Sequence, residues 1–105
     1  MIDWTRVSEL RQDFGEDDFA EIAAMFLSEV QAKLTEMQMQ PSDNPSEDFH
    51  FVKGSAANLG FERLYQACSA AEREAQADSV QSLVEIFHAS KLEFLTKTGI
   101  TLEAA

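Results

Sequence analysis

Apolar residues recur at steps of three and four along this chain, with polar residues filling the positions between them. The longest such stripe is Phe19, Ile22, Ala23, Phe26, Val30, Leu34 and Met37, and it predicts an amphipathic helix. A shorter stripe precedes it: Trp4, Val7, Leu10 and Phe14, with Asp3 as a capping residue and Gly15 as a stop. Glu16, Asp17 and Asp18 then open the longer helix, where the helix dipole favours negative charge. Gln40-Pro41-Ser42-Asp43-Asn44-Pro45 has the prolines and small polar residues of a loop. Asn44-Pro45-Ser46-Glu47 reads as a helix start, with Asn at the cap, Pro at the first position and Glu at the third. That third helix runs to about Leu59, and Gly60 stops it. A fourth runs from Phe61 to about Ala77, with Phe61, Leu64, Cys68, Ala71 and Ala75 on one face. Asp78-Ser79-Val80-Gln81 caps a fifth, which ends at Lys97 and turns Val80, Leu83, Phe87 and Phe94 inward. The tail after Gly99 reads as frayed. No segment alternates with the period of a strand, and no internal repeat is present.

Four helices of several turns with short connections pack most simply side by side and antiparallel. The expected fold is therefore all-α: an up-down-up-down four-helix bundle, with a short additional N-terminal helix over one end or side. At 105 residues the chain is expected to form a single domain, residues 1–105, large enough to bury most of its own core.

Charge narrows the function classes. Nineteen acids against eight bases give a net charge of −11, which would repel a phosphate backbone or an anionic lipid surface. Neither nucleic acid nor membrane is an expected partner. No apolar run approaches the roughly 20 residues of a membrane span, and the start Met1-Ile2-Asp3-Trp4-Thr5 has no secretory or transit pattern. Cys68 is the single cysteine, so neither an internal disulfide nor a thiolate metal cluster can form; it reads as a small core residue. The expected compartment is the cytoplasm and the expected state a monomer.

Candidate chemistry concentrates in the third helix. At about 100° per residue, Phe49, Val52, Ala56 and Leu59 form its buried side. His50 lies well over 90° from the centre of that side, together with Glu47, Gly54 and Ala57. Lys53 sits on the boundary, able to lay its methylenes on the bundle and bring its ammonium beside the imidazole. Phe51 and Asn58 point further round. Glycine in a helix interior costs about 1 kcal/mol relative to alanine, and clearance beside His50 is the simplest reason to keep one there. An exposed imidazole with open approach and a neighbouring cation suits acceptance of a phosphoryl group. An ordinary imidazole, with a pKa of about 6.5, is mostly neutral and nucleophilic near neutral pH.

The run His50-x-x-Lys53-Gly54-Ser55-Ala56-Ala57-Asn58-Leu59-Gly60 resembles the motif of histidine-containing phosphotransfer (HPt) domains, and Phe61-x-x-Leu64 followed by Cys68 and Glu72 fits the flanking pattern. The resemblance implies a four-helix bundle that relays phosphoryl groups in two-component systems. In it His50 takes the group from a receiver-domain aspartyl phosphate and hands it to another receiver. Lys53 would stabilise the phosphoryl group, Gly54 would provide clearance, and Glu72 is the candidate for orienting His50, with a plain salt bridge to Lys53 as its other role. Phe51, Ala57 and Asn58 are candidates for contacting the partner. That partner is a response-regulator receiver, including one fused to a hybrid histidine kinase. Mg²⁺ would be held by the receiver, with no cofactor on this chain. One departure from the family pattern is the phenylalanine on both sides of His50.

Two other readings compete. Glu47-x-x-His50 and Glu85-x-x-His88 have the spacing of di-iron carboxylate bundles, with Glu21, Glu29 or Glu72 as further ligands; such a protein would be a metal-dependent oxidase or iron carrier. The helical arithmetic counts against it, because His50 and Glu85 face outward. The other reading is a docking bundle that is never phosphorylated. No Gly-rich phosphate loop and no nucleophile elbow is present, so neither ATP-dependent kinase activity nor triad hydrolysis is expected.

Overall fold

The computed structural model describes residues 2–40, 43–74 and 78–101. The predicted loop residues Pro41 and Ser42, Ala75 and Ala77 at the end of the fourth predicted helix, and the tail beyond Thr101 lie outside these, as do the capping side chains of Asp78 and Ser79. Four α-helices follow one another: α1 (Trp4–Met39), α2 (Pro45–Leu59), α3 (Glu62–Glu74) and α4 (Asp78–Thr98). No strand occurs among the described residues. Each helix packs on the next and α4 closes the ring against α1, which makes an all-α four-helix bundle.

The first two predicted helices fold as one element with a break. Gly15 has φ 78° and ψ 164°, a region essentially restricted to glycine, so the helix is interrupted where the sequence placed its stop. The expected additional helix is the arm of α1 before that break. Asp3 caps it, accepting from the amides of Thr5 at 3.1 Å and Arg6 at 3.3 Å. One expectation fails here. Phe14, placed on the inner stripe, is the last residue of the arm before the Gly15 break and is exposed.

After the break, Phe19, Ala23, Leu27, Val30, Leu34 and Met37 are buried. Leu27 replaces Phe26 as the inward residue of its turn, and Phe26 and Ile22 are half-buried. From α2 come Phe49, Val52, Ala56 and Leu59, from the turn before α3 Phe61, from α3 Leu64, Cys68 and Ala71, and from α4 Leu83, Phe87 and Phe94. Val80, expected on that inner face, is half-buried and packs against the core. Aromatic rings fill the end of the bundle under the N-terminal arm. Phe61 meets Phe94 edge-on at 5.5 Å between centroids, and Trp4 stacks on Phe94 at 6.5 Å.

The turn from α2 to α3 is the part of the fold that fixes the site's helix. Gly60 takes the left-handed conformation at φ 77°, and the amides of Gly60 and Phe61 return to the carbonyls of Ala57 and Ala56. This is the hydrogen-bond pattern of a Schellman stop. The N-terminal arm is keyed to the same turn. The Asp3 amide donates to the Gly60 carbonyl at 2.7 Å, and Arg6 Nε donates to the Asn58 carbonyl at 3.2 Å. A Cβ on Gly60 would lie 2.8 Å from the Asp3 carbonyl oxygen, so this glycine is required twice over.

Candidate functional site

The site is built on α2. Asn44 caps the helix by accepting from the Glu47 amide, its side-chain amide donates to the Glu47 carboxylate at 3.2 Å, and Pro45 takes the first turn. With Phe49, Val52, Ala56 and Leu59 committed to the core, helical geometry turns His50, Gly54 and Ala57 to solvent. The His50 side chain is 69% exposed. One turn on, a Cβ added to Gly54 would meet nothing within 4 Å. The glycine therefore answers no need of the bundle itself.

Glu72 on α3 reaches across to this face and engages both of the predicted basic residues. Its Oε1 lies 3.3 Å from His50 Nδ1, and its Oε2 accepts from Lys53 Nζ at 2.7 Å. The contacts that either role of Glu72 would need are both present, one on each carboxylate oxygen. Ser46 Oγ donates to the Glu72 carbonyl at 3.4 Å, tying the start of α2 to the same turn of α3. The hydrogen bond from Lys53 holds the Glu72 carboxyl below the usual carboxylate range; partial burial opposes this, and the charges of Lys53 and His50 add to it. The same hydrogen bond raises the Lys53 ammonium above its ordinary value. The Glu72 carboxylate stands at the Nδ1 edge of the imidazole, where an N–H on that nitrogen would point at it. Cys68, one turn before Glu72, is fully buried, and burial pushes its thiol up to about 12, as fits a core residue.

The other flank of His50 was not anticipated from sequence. Lys33 of α1 reaches α2 and pairs with Asp48 at 2.9 Å, with Glu36 at 3.4 Å, while its Nζ stands 5.7 Å from the centre of the Phe51 ring. Phe51 is 46% exposed. Ala57 and Asn58 are exposed further along α2, and the Asn58 carbonyl holds Arg6.

Comparison with known protein families matches residues 21–97 to the Hpt domain. The chain belongs to the Hpt-domain family. Hpt domains carry out histidine phosphotransfer in two-component systems, where they act with receiver domains as intermediates and are generally not kinases. Comparison with curated proteins and with solved structures returns no match. The matched segment contains His50, Lys53, Gly54 and Glu72, and it leaves the whole N-terminal arm of α1 outside. In this Hpt domain the two Glu-x-x-His pairs lie on solvent faces: Glu47 and His50 on α2, Glu85 and His88 on α4. They do not converge in the interior as di-iron ligands must. Among the described residues no group of three or more His, Cys, Asp or Glu is placed to hold a metal ion, and no helix is long and apolar enough to cross a membrane.

Proposed function

We propose that this Hpt domain is a phosphorelay intermediate whose phosphoacceptor is His50, loaded by a receiver aspartyl phosphate and unloaded onto the aspartate of another receiver. The observation that carries the reading is an exposed imidazole whose Nδ1 is held by Glu72 while nothing crowds the turn at Gly54.

In the loading step the Nε2 lone pair attacks phosphorus in line with the aspartyl oxygen. The N–P bond forms as the P–O bond breaks, and the receiver aspartate leaves as a carboxylate. The ring carries the developing positive charge with its proton still on Nδ1. Glu72, acidic enough to stay ionised, offsets that charge and fixes the ring plane. Unloading reverses these roles. Lys53 commits one of its three N–H donors to Glu72, which leaves two for phosphoryl oxygens. Gly54 admits the rim of the receiver's active site, and Mg²⁺ arrives with that receiver. The bundle contributes position and electrostatics, with no ATP chemistry of its own.

The test is incubation with a receiver carrying labelled aspartyl phosphate. The expected result is acid-labile, base-stable label on this chain that disappears in His50→Gln. Label of the same stability and rate in that variant would overturn the assignment.

A further inference from the structure

Two inter-helix ion pairs flank His50, and they do different things. On the α3 side Glu72 contacts the imidazole and pairs with Lys53. On the α1 side Lys33 pairs with Asp48 and stands over the ring of Phe51, the residue next to His50 in the chain.

We propose that Phe51 is an apolar anchor that selects among receiver partners, and that Lys33 is the positioning residue that holds its ring ready. This rests on the phosphorelay reading, since it names how the partner of that same site is chosen. A folded domain that brings an aspartate to His50 Nε2 must also cover the adjoining surface, and Phe51 is the exposed large apolar side chain there. Charge gives little attraction at this contact. The chain carries a net −11, and both lysines beside the site are already matched by carboxylates. Affinity is then left to apolar burial, and a half-exposed phenylalanine still has a large part of its roughly 200 Å² to bury. A floppy ring would lose rotamer freedom on docking. The ammonium at 5.7 Å, itself fixed by Asp48 at 2.9 Å, removes part of that loss before the partner arrives. The complementary surface on the receiver is an apolar recess beside its phosphorylated aspartate. A receiver with a charged side chain in that place is rejected, because docking would bury the charge against the ring without a partner.

The experiment measures transfer from a panel of receiver domains of the source organism, each phosphorylated with acetyl phosphate, with chemical phosphorylation of His50 by phosphoramidate as the partner-free control. For the preferred receiver, Phe51→Ala is expected to raise KM about tenfold with the maximal rate unchanged. Phe51→Leu falls between, and labelling by phosphoramidate stays at the wild-type rate. Lys33→Gln raises KM by a few-fold and Lys33→Arg restores it. A KM unchanged in Phe51→Ala, or a reduced maximal rate at constant KM, overturns the anchor. A KM unchanged in Lys33→Gln overturns the positioning role. Wild-type protein that accepts phosphate from phosphoramidate but from no receiver sinks the relay reading and the anchor with it. Labelling that survives in His50→Gln would instead show that the acceptor was misassigned.

Discussion

Replacing Gly54 with alanine should make this protein more stable and its transfer no better. Gly54 sits within α2, with no left-handed torsion to preserve, and a new methyl group would meet nothing within 4 Å. No packing is gained or lost, so the change in stability reduces to helix propensity and the lower freedom of the unfolded chain. Both favour alanine, by about 1 kcal/mol together. For a domain of this size that is a rise in melting temperature of about 4–8 °C, readable by thermal circular dichroism. Gly54→Leu should keep most of that gain, since its side chain also enters open space. The same side chain would project beside His50, one turn away on the same face, into the volume an incoming receiver needs. Transfer from phosphorylated receiver should fall about a hundredfold, in line with the penalty for displacing reacting groups by an ångström or so. Phosphoramidate, being small, should still label His50. A destabilised Gly54→Ala variant would mean that the turn is less open than described. A Gly54→Leu variant that transfers at the wild-type rate would end the argument that the space serves a partner.

Glu72→Gln keeps the shape of the side chain and removes its charge, so receiver-dependent loading should slow while helix content is retained; an unchanged rate would remove Glu72 from the mechanism. Its pH signature follows from the depressed carboxyl: the native Glu72 value lies below the unfolded one of about 4.3, so its stabilising effect is present above that pH and is lost as pH falls through the native value. Acid titration of stability should therefore be flatter in Glu72→Gln than in wild type. Lys53 gives the mirror case, its raised value keeping the pair intact below about 10.4 and losing it as pH rises through the native value. Ser90 is fully buried in α4 with no hydrogen-bond partner for its hydroxyl among the described residues, so Ser90→Ala should stabilise the bundle by about 1 kcal/mol in a chemical denaturation series. A loss of stability there would point to an acceptor for that hydroxyl.

The helices and the exposed turn were legible because both follow from local periodicity. Asn44-Pro45 and Gly60 bound α2 where the cap chemistry says they should, and the 100° step puts His50 outside whatever the neighbours are. Glu72 could be named from its position on α3, but its double engagement depends on the packing distance between α2 and α3, which no pattern within one helix encodes. Lys33 and Asp48 were missed for the same reason. Each looks like an ordinary solvated charge in its own helix, and they become a pair only when α1 and α2 lie side by side. Phe14 failed in the other direction: its spacing from Leu10 is that of an inward residue, yet it stands at the end of the arm, beside the Gly15 break, and is exposed.

The arm that runs from Asp3 to the Gly15 break bears on where this relay unit begins. The family match starts at Glu21, yet Val7, Leu10 and Phe19 are core residues and Trp4 covers the face of Phe94. A polypeptide trimmed to the matched segment would open the aromatic end of the bundle to water. It would also release the turn at Gly60 from the backbone that holds it. The oxygen that forbids a side chain at Gly60 belongs to Asp3, and the carbonyl that receives Arg6 lies two residues from Gly60, on the helix that carries His50. The residues that hold this bundle together therefore extend beyond the matched segment, and those that precede it tie down the turn that ends the helix carrying His50.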